Sequence, residues 1–213
     1  MEFIQKYGIY GLGFFAQSLF GARLVVQLLI SERKGKVVSP TIFWQLSLLA
    51  SFLFLIYGII RNDLVIIIGQ TLSYFIYVRN LQLKNDWQKF PWAARVILLC
   101  LPFAALAYIS LSLNKLDAIF QNSDLTNPII AIGAIGQLML NFRFIYQWIY
   151  SEKQKDSILP VGFWVMSSMA SVMILSYAAY RVDPVLLVAQ GMGIFVYLRN
   201  MIIHFRTKTQ TVN

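Results

Sequence analysis

Residues 17–32, QSLFGARLVVQLLISE, return 120 positions later as residues 137–152, QLMLNFRFIYQWIYSE, and the match needs no gap. Gln17, Arg23, Gln27, Ser31 and Glu32 fall on Gln137, Arg143, Gln147, Ser151 and Glu152, while the apolar filling between them drifts. Carried outward, the same offset places Pro40, Phe43, Trp44, Ser47, Ser51 and Tyr57 on Pro160, Phe163, Trp164, Ser167, Ser171 and Tyr177. It also places Arg61, Asp63, Gln70, Tyr77, Arg79 and Asn80 on Arg181, Asp183, Gln190, Tyr197, Arg199 and Asn200. A polar and aromatic skeleton present in two copies is what two halves of one site would keep, so the duplication governs the reading of fold and function.

The filling says what solvent surrounds it. Of the 213 residues, 58% are hydrophobic and 13% charged, and the mean hydropathy is +0.64, too apolar for an ordinary soluble domain of this length. A helix needs about 20 mostly apolar residues to cross the hydrocarbon of a bilayer. Seven stretches qualify, at roughly 7–30, 41–60, 64–81, 95–113, 127–150, 161–180 and 184–203. They are continuous rather than alternating, and twice the length of a barrel strand, which argues for helices. The first stretch is expected to stay in the protein: Glu2 sits beside Lys6, no small-residue cleavage site follows, and its copy at 127–150 lies mid-chain. Cys100, expected to be buried in the fourth span, is the only cysteine, which excludes an internal disulfide and a cysteine metal site. The lone His204 reads as an interfacial residue at the end of the last span, and no metal or cofactor is expected.

A net charge of +9 would suit nucleic acid, but its distribution says otherwise. If every stretch crosses once, twelve Lys and Arg collect on one side, four on the other, and Arg23 and Arg143 lie within spans. The rich side is expected to be cytoplasmic, with the N-terminus outside and the C-terminus inside. The basic excess then reads as topology and attraction to anionic membrane lipids, and no nucleic-acid partner is expected.

Each copy supplies three spans, and an unmatched span at 95–113 stands between them. Two three-span units joined directly would be inverted, and one extra crossing restores their common orientation. The expected fold class is therefore all-α integral membrane, with seven transmembrane helices: two parallel three-helix repeats and a connector helix. The first repeat is expected over 1–81, an interfacial segment plus connector over 82–126, and the second repeat with a short tail over 127–213. Pro40 and Pro160 open the second span of each repeat, where a missing N–H costs nothing.

Arg23 and Arg143 are the sharpest functional signal. A guanidinium at membrane depth costs about 2.5–3.5 kcal/mol on insertion scales and cannot be neutralised. Three readings stand: an anion site for phosphate or carboxylate, snorkelling toward the surface near Glu32, or a structural pair between helices. Gln27 and Gln147 follow four residues later on the same helix face. Gln70 with Tyr77, and Gln190 with Tyr197, are seven apart and nearly eclipsed. Trp44, Ser47 and Ser51 occupy one face, as do Trp164, Ser167 and Ser171. Aromatic rings, amides and hydroxyls together are the mixture that binds sugars. The competing reading is that Ser and Gln glue membrane helices, for about 0.6 kcal/mol per bond, and that Trp44 anchors at the interface. Arg61 with Asp63, and Arg181 with Asp183, are expected to pair or cap in tight turns. Arg79-Asn80 and Arg199-Asn200 end the third span of each repeat, where a cation suits the helix dipole and lipid headgroups, or a phosphate. Catalytic residues are not expected: there is no phosphate loop, no His or Cys cluster and no paired carboxylates within a span.

The run Q-x5-R-x3-Q-x3-S-E, P-x2-F-W-x2-S, D-x6-Q-x6-Y-x-R-N, from Gln17 to Asn80 and again from Gln137 to Asn200, resembles the lipid A biosynthesis N-terminal domain family. That family is a membrane module fused ahead of some lipid-A-disaccharide synthases, and it is similar to the PQ-loop and SWEET sugar transporters. With that resemblance, the leading expectation is a protein of lipid A biosynthesis that binds a lipid-linked or phosphorylated saccharide between its two repeats and moves it across, or presents it at, the bacterial inner membrane. Arg23 and Arg143 would hold phosphate, and Gln27, Gln147, Gln70, Gln190, Tyr77 and Tyr197 would meet sugar hydroxyls. The alternative is a non-transporting scaffold that docks a separate glycosyltransferase. Synthase activity by this chain alone is the weakest expectation, since the resemblance does not extend to a glycosyltransferase catalytic domain. The Pro-Gln dipeptide of PQ-loop proteins is replaced by Pro40-Thr41 and Pro160-Val161.

Overall fold

The computed structural model describes residues 2–61, 64–110, 127–182 and 184–210, and all secondary structure among them is helical. Seven α-helices occur among the described residues: α1 (Glu2–Lys34), α2 (Thr41–Arg61), α3 (Leu64–Leu83), α4 (Trp92–Ser110), α5 (Pro128–Gln154), α6 (Val161–Arg181) and α7 (Pro184–Gln210). A single 3-10 turn, Trp87–Lys89, precedes α4. Five helices contain stretches long and apolar enough to cross a membrane: Gly11–Lys34, Thr41–Arg61, Pro128–Gln154, Val161–Arg181 and Leu186–Thr207. Large apolar side chains cover their outsides, with Phe14 77% and Phe195 66% exposed, a surface that is stable against lipid and not against water. The chain is a multi-pass helical membrane protein. In hydrocarbon the helix is the form in which a single segment satisfies its own backbone.

Both prolines stand where expected, immediately ahead of α2 and α6, and Pro160 is the extended cap residue of α6. The Asn127 carboxamide accepts from the Ile129 N–H at 3.0 Å and caps α5, whose first residue is Pro128. At the far ends of α1 and α5 the backbone turns left-handed at equivalent positions, Gly35 (φ 61°) and Lys155 (φ 55°). Glycine takes that conformation without steric cost, whereas a residue with a Cβ gives up about 1–2 kcal/mol there. Cys100, expected inside, is exposed on α4. It sits on the outward side of an apolar helix, and periodicity alone does not say which side that is. Asp63 and Asp183, expected to pair in the turns, lie outside the described residues.

The chain forms two compact units, Met1–Arg23 with Thr41–Ser123, and Leu24–Pro40 with Asp124–Asn213. Within the first, Leu55 of α2, Ile67 of α3 and Ala105 of α4 form a buried cluster, with Ile59 and Leu101 against it. The segment between α3 and α4 folds back over the start of α2. Trp87 is buried, the Asp86 carboxylate accepts from the Thr41 hydroxyl, and Lys89 pairs with the same carboxylate. Lys89 first, then Thr41, hold the Asp86 carboxyl below the usual carboxylate range. Its folded pKa is lower than its unfolded one, so its stabilising contribution is present above about pH 4 and lost as pH falls through the folded value. Thermal melts between pH 7 and pH 2.5 should therefore show a steeper acid loss for the parent than for Asp86→Asn.

In the second unit α5 and α6 approach closely over glycine. A Cβ on Gly133 would lie 2.7 Å from both Cβ and Cγ of Tyr177, and one on Gly136 would lie 2.9 Å from the Ala170 carbonyl oxygen. Small residues let membrane helices come this near. Gly133→Ala must push the root of a side chain that cannot swing aside, so a loss of about 1–3 kcal/mol is expected in equilibrium unfolding in detergent. Gly21→Ala has open space around it and should be tolerated.

Candidate functional site

The duplicated skeleton folds into rungs that repeat in the two units. In the second, Arg143 on α5 donates through Nη1 to Ser167 Oγ of α6 at 2.8 Å and to Tyr197 OH of α7 at 3.0 Å. One nitrogen thus ties three helices. Ser167 passes its own hydrogen back to the Phe163 carbonyl one turn earlier. The guanidinium carbon lies 4.9, 5.0 and 5.4 Å from the ring centres of Phe144, Phe163 and Tyr197, a cage of π faces that offsets part of the lost hydration. Trp164, fully buried, packs edge-on against Phe163 at 5.0 Å and beside Tyr197 at 6.1 Å.

The first unit repeats this almost atom for atom. Arg23 of α1 donates through Nη1 to Ser47 Oγ of α2 at 2.7 Å and to Tyr77 OH of α3 at 3.1 Å. Its guanidinium sits 4.6, 5.3 and 5.5 Å from the rings of Phe20, Phe43 and Tyr77. Trp44 lies between Phe43 and Tyr77, at 4.8 and 6.1 Å. Arg23 and Arg143 are each 5% exposed. They turn inward among hydroxyls and rings, not outward to the bilayer surface, and Trp44 and Trp164 are wholly enclosed rather than anchored at an interface.

The amides form further rungs. Ser51 donates to Gln70 Oε1 at 3.0 Å, and Ser171 to Gln190 Oε1 at 2.7 Å. Gln27 shares its amide hydrogens among Ser31 Oγ, the Val38 carbonyl and Asn200 Oδ1, and Asn200 returns a bond to Gln27 Oε1 at 3.0 Å. Gln147 likewise donates to Ser151 Oγ and the Ile158 carbonyl. Arg23, Ser47 and Tyr77 therefore meet within the first copy, with Trp44 beside them, and Arg143, Ser167 and Tyr197 meet within the second, with Trp164 beside them. Gln27, four residues past Arg23, joins Asn200 within the second compact unit instead. Gln17 and Gln137 are exposed.

Sequence reasoning missed three contacts. Arg199, expected to meet lipid headgroups, grips Glu32 through Nε and Nη2, and Thr207 donates to the Gly35 carbonyl at 3.0 Å. Asn200, its neighbour at the helix end, is fully buried as the reciprocal partner of Gln27. The signal for the Glu32–Arg199 pair is present in the sequence, because the two residues carry opposite charge and belong to the duplicated set.

Chemically the rungs offer a fixed cation, hydroxyls and aromatic faces. Among the described residues Arg143 has no carboxylate within ion-pair distance and its Nε has no hydrogen-bond partner. No group of three His, Cys, Asp or Glu able to hold a metal occurs among them.

This is an all-helical membrane protein built from a duplicated three-helix unit with an arginine buried in each copy. The Lipid A Biosynthesis N-terminal domain model matches it twice, over residues 12–82 and 132–202, about two thirds of the chain, and the chain belongs to that family. A lipid-A-disaccharide synthase of Chlamydia pneumoniae is 25% identical over 213 residues, covering 96% of this chain and 35% of that protein. The synthases of Chlamydia muridarum and Chlamydia trachomatis serovar D are each 28% identical, covering 95% and 91% of this chain and 35% and 33% of their own length. The chain thus spans about a third of the curated relatives it matches. No solved structure matches it.

Proposed function

We propose that this protein acts in lipid A biosynthesis by binding a lipid-linked or phosphorylated saccharide at its buried arginine rungs, and that it moves this ligand across the bacterial inner membrane or presents it there. The observation that carries the reading is a guanidinium buried in each repeat, held by hydroxyls and rings; in the second repeat no carboxylate pairs with it among the described residues. A charge so costly to place in a membrane is there by default for function. Hydroxyls and rings stand beside each arginine and suit the sugar portion of such a ligand. On this reading the seven helices span as three, one and three, with the basic side cytoplasmic. In vesicles reconstituted with a fluorescent polyprenyl-phosphate sugar or a lipid A precursor, Arg23→Ala combined with Arg143→Ala should lower transfer at least tenfold, since each arginine would supply the ligand with a charged hydrogen bond. Unchanged transfer would remove the arginines from the mechanism.

A second reading is favoured by the relatives' length. Proteins named as synthases carry a region like this one within a chain about three times as long, so the module here would serve as a membrane platform for a glycosyltransferase. Co-purification of a glycosyltransferase with a protein that holds no lipid would support it over transport.

A further inference from the structure

In the second repeat several buried hydrogen-bond donors lack an acceptor. Around Tyr197, three hydrogens have nowhere to go among the described residues. Arg143 Nε and Trp164 Nε1 are buried without partners, and the Tyr197 hydroxyl accepts from Arg143 but donates to nothing. Arg143 is 5% exposed and Trp164 not at all, so water at the surface does not satisfy them. Both pack on the same two rings, Phe163 and Tyr197, so the unmet donors belong to neighbouring side chains. The acceptors present are in use: Ser167 Oγ receives the Arg143 hydrogen while donating to the Phe163 carbonyl.

A buried donor without an acceptor is costly, and three around one cation define what is missing. A sugar hydroxyl brings a further hydrogen and no charge. A cation is repelled by the guanidinium. A phosphate oxygen is acceptor-only, negative, and able to take bonds from Arg, Trp and Tyr at once. We infer that Arg143 Nε, Trp164 Nε1 and the Tyr197 hydroxyl form a phosphate-oxygen site in the second repeat. This rests on the headgroup-binding role proposed above and adds two things to it: the phosphate goes to the second repeat, and Trp164 serves as a hydrogen-bond donor rather than as a sugar platform.

The test uses the full chain in detergent with three probes: phosphatidic acid, the matching diacylglycerol that lacks phosphate, and inorganic phosphate. Phosphatidic acid should raise the melting temperature and diacylglycerol should not. Trp164→Phe, which keeps a ring and removes one N–H, should weaken the phosphatidic acid response about tenfold. Arg143→Lys, which keeps the charge and loses the fork, should weaken it similarly. Trp148→Phe, at a half-exposed tryptophan that donates to Glu152, should leave it intact. An equal response to inorganic phosphate supports the site and assigns it a free anion rather than a headgroup. Equal shifts with phosphatidic acid and diacylglycerol, or a full response in Trp164→Phe, would overturn the inference. If a neutral glycolipid is what mass spectrometry finds retained, the phosphate site falls while the proposed function stands; if no lipid or phosphate binds, both fall.

Discussion

Arg143→Met is expected to leave a folded protein that has lost its anionic lipid. The stability balance is close to even. The arginine supplies two charged hydrogen bonds, to Ser167 and Tyr197, each worth about 1.5–3 kcal/mol. Against them stands the cost of about 2.5–3.5 kcal/mol for a guanidinium at this depth, which methionine removes. Methionine also fills most of the vacated space, and Ser167 keeps its bond to the Phe163 carbonyl. Replacing buried ionic groups by apolar ones of similar volume is often neutral, so a change within about 2 kcal/mol is expected in unfolding experiments. Lipid retained through purification, measured by mass spectrometry, should fall tenfold or more. Fold and lipid lost together would mark Arg143 as a strut and not a ligand.

Asn200→Leu should be among the most damaging single changes in the second compact unit. Gln27 and Asn200 are both fully enclosed and exchange two hydrogen bonds, of 2.8 and 3.0 Å. Removing one amide strands part of the other in a dry interior, for about 1–3 kcal/mol. The double variant Gln27→Leu with Asn200→Leu should be less harmful than the two single losses summed, by about 1–2 kcal/mol, given about 0.6–1.7 kcal/mol per buried bond in a membrane protein. Additive losses would show that the pair is not coupled. Both variants are read by urea unfolding in mild detergent, where the sign of the coupling does not depend on the absolute stability.

Much of this is legible in the sequence because lipid simplifies the rules. Long apolar runs must be helices, and an offset of 120 that superimposes Arg, Ser and Tyr means that what one copy builds from them the other repeats, as Arg23–Ser47–Tyr77 and Arg143–Ser167–Tyr197 do. What stays hidden is partner choice. Helical spacing puts Gln27 on the face of Arg23, but the amide reaches Asn200, 173 residues away, and no periodicity encodes a contact of that range. The sidedness of apolar helices is equally obscure: Cys100 is exposed on α4, and a helix so largely apolar carries no polar stripe to mark which face is buried. The lysine in a left-handed turn at Lys155 is hidden too, since its copy is the more telling Gly35.

One helix belongs to two places. α1 is divided at Arg23 and Leu24, its leading part grouped with α2 to α4 and its trailing part with α5 to α7. The ribosome delivers this segment well ahead of α7, yet Gln27, Glu32 and Gly35 bond to Asn200, Arg199 and Thr207, which lie 167 to 173 residues further along. The trailing part of α1 must wait in the bilayer, its amide and carboxylate provisionally attended by water or other lipids, until α7 has been made. Chain truncations ahead of Arg199 would leave that wait unended and expose the nascent protein to membrane proteases.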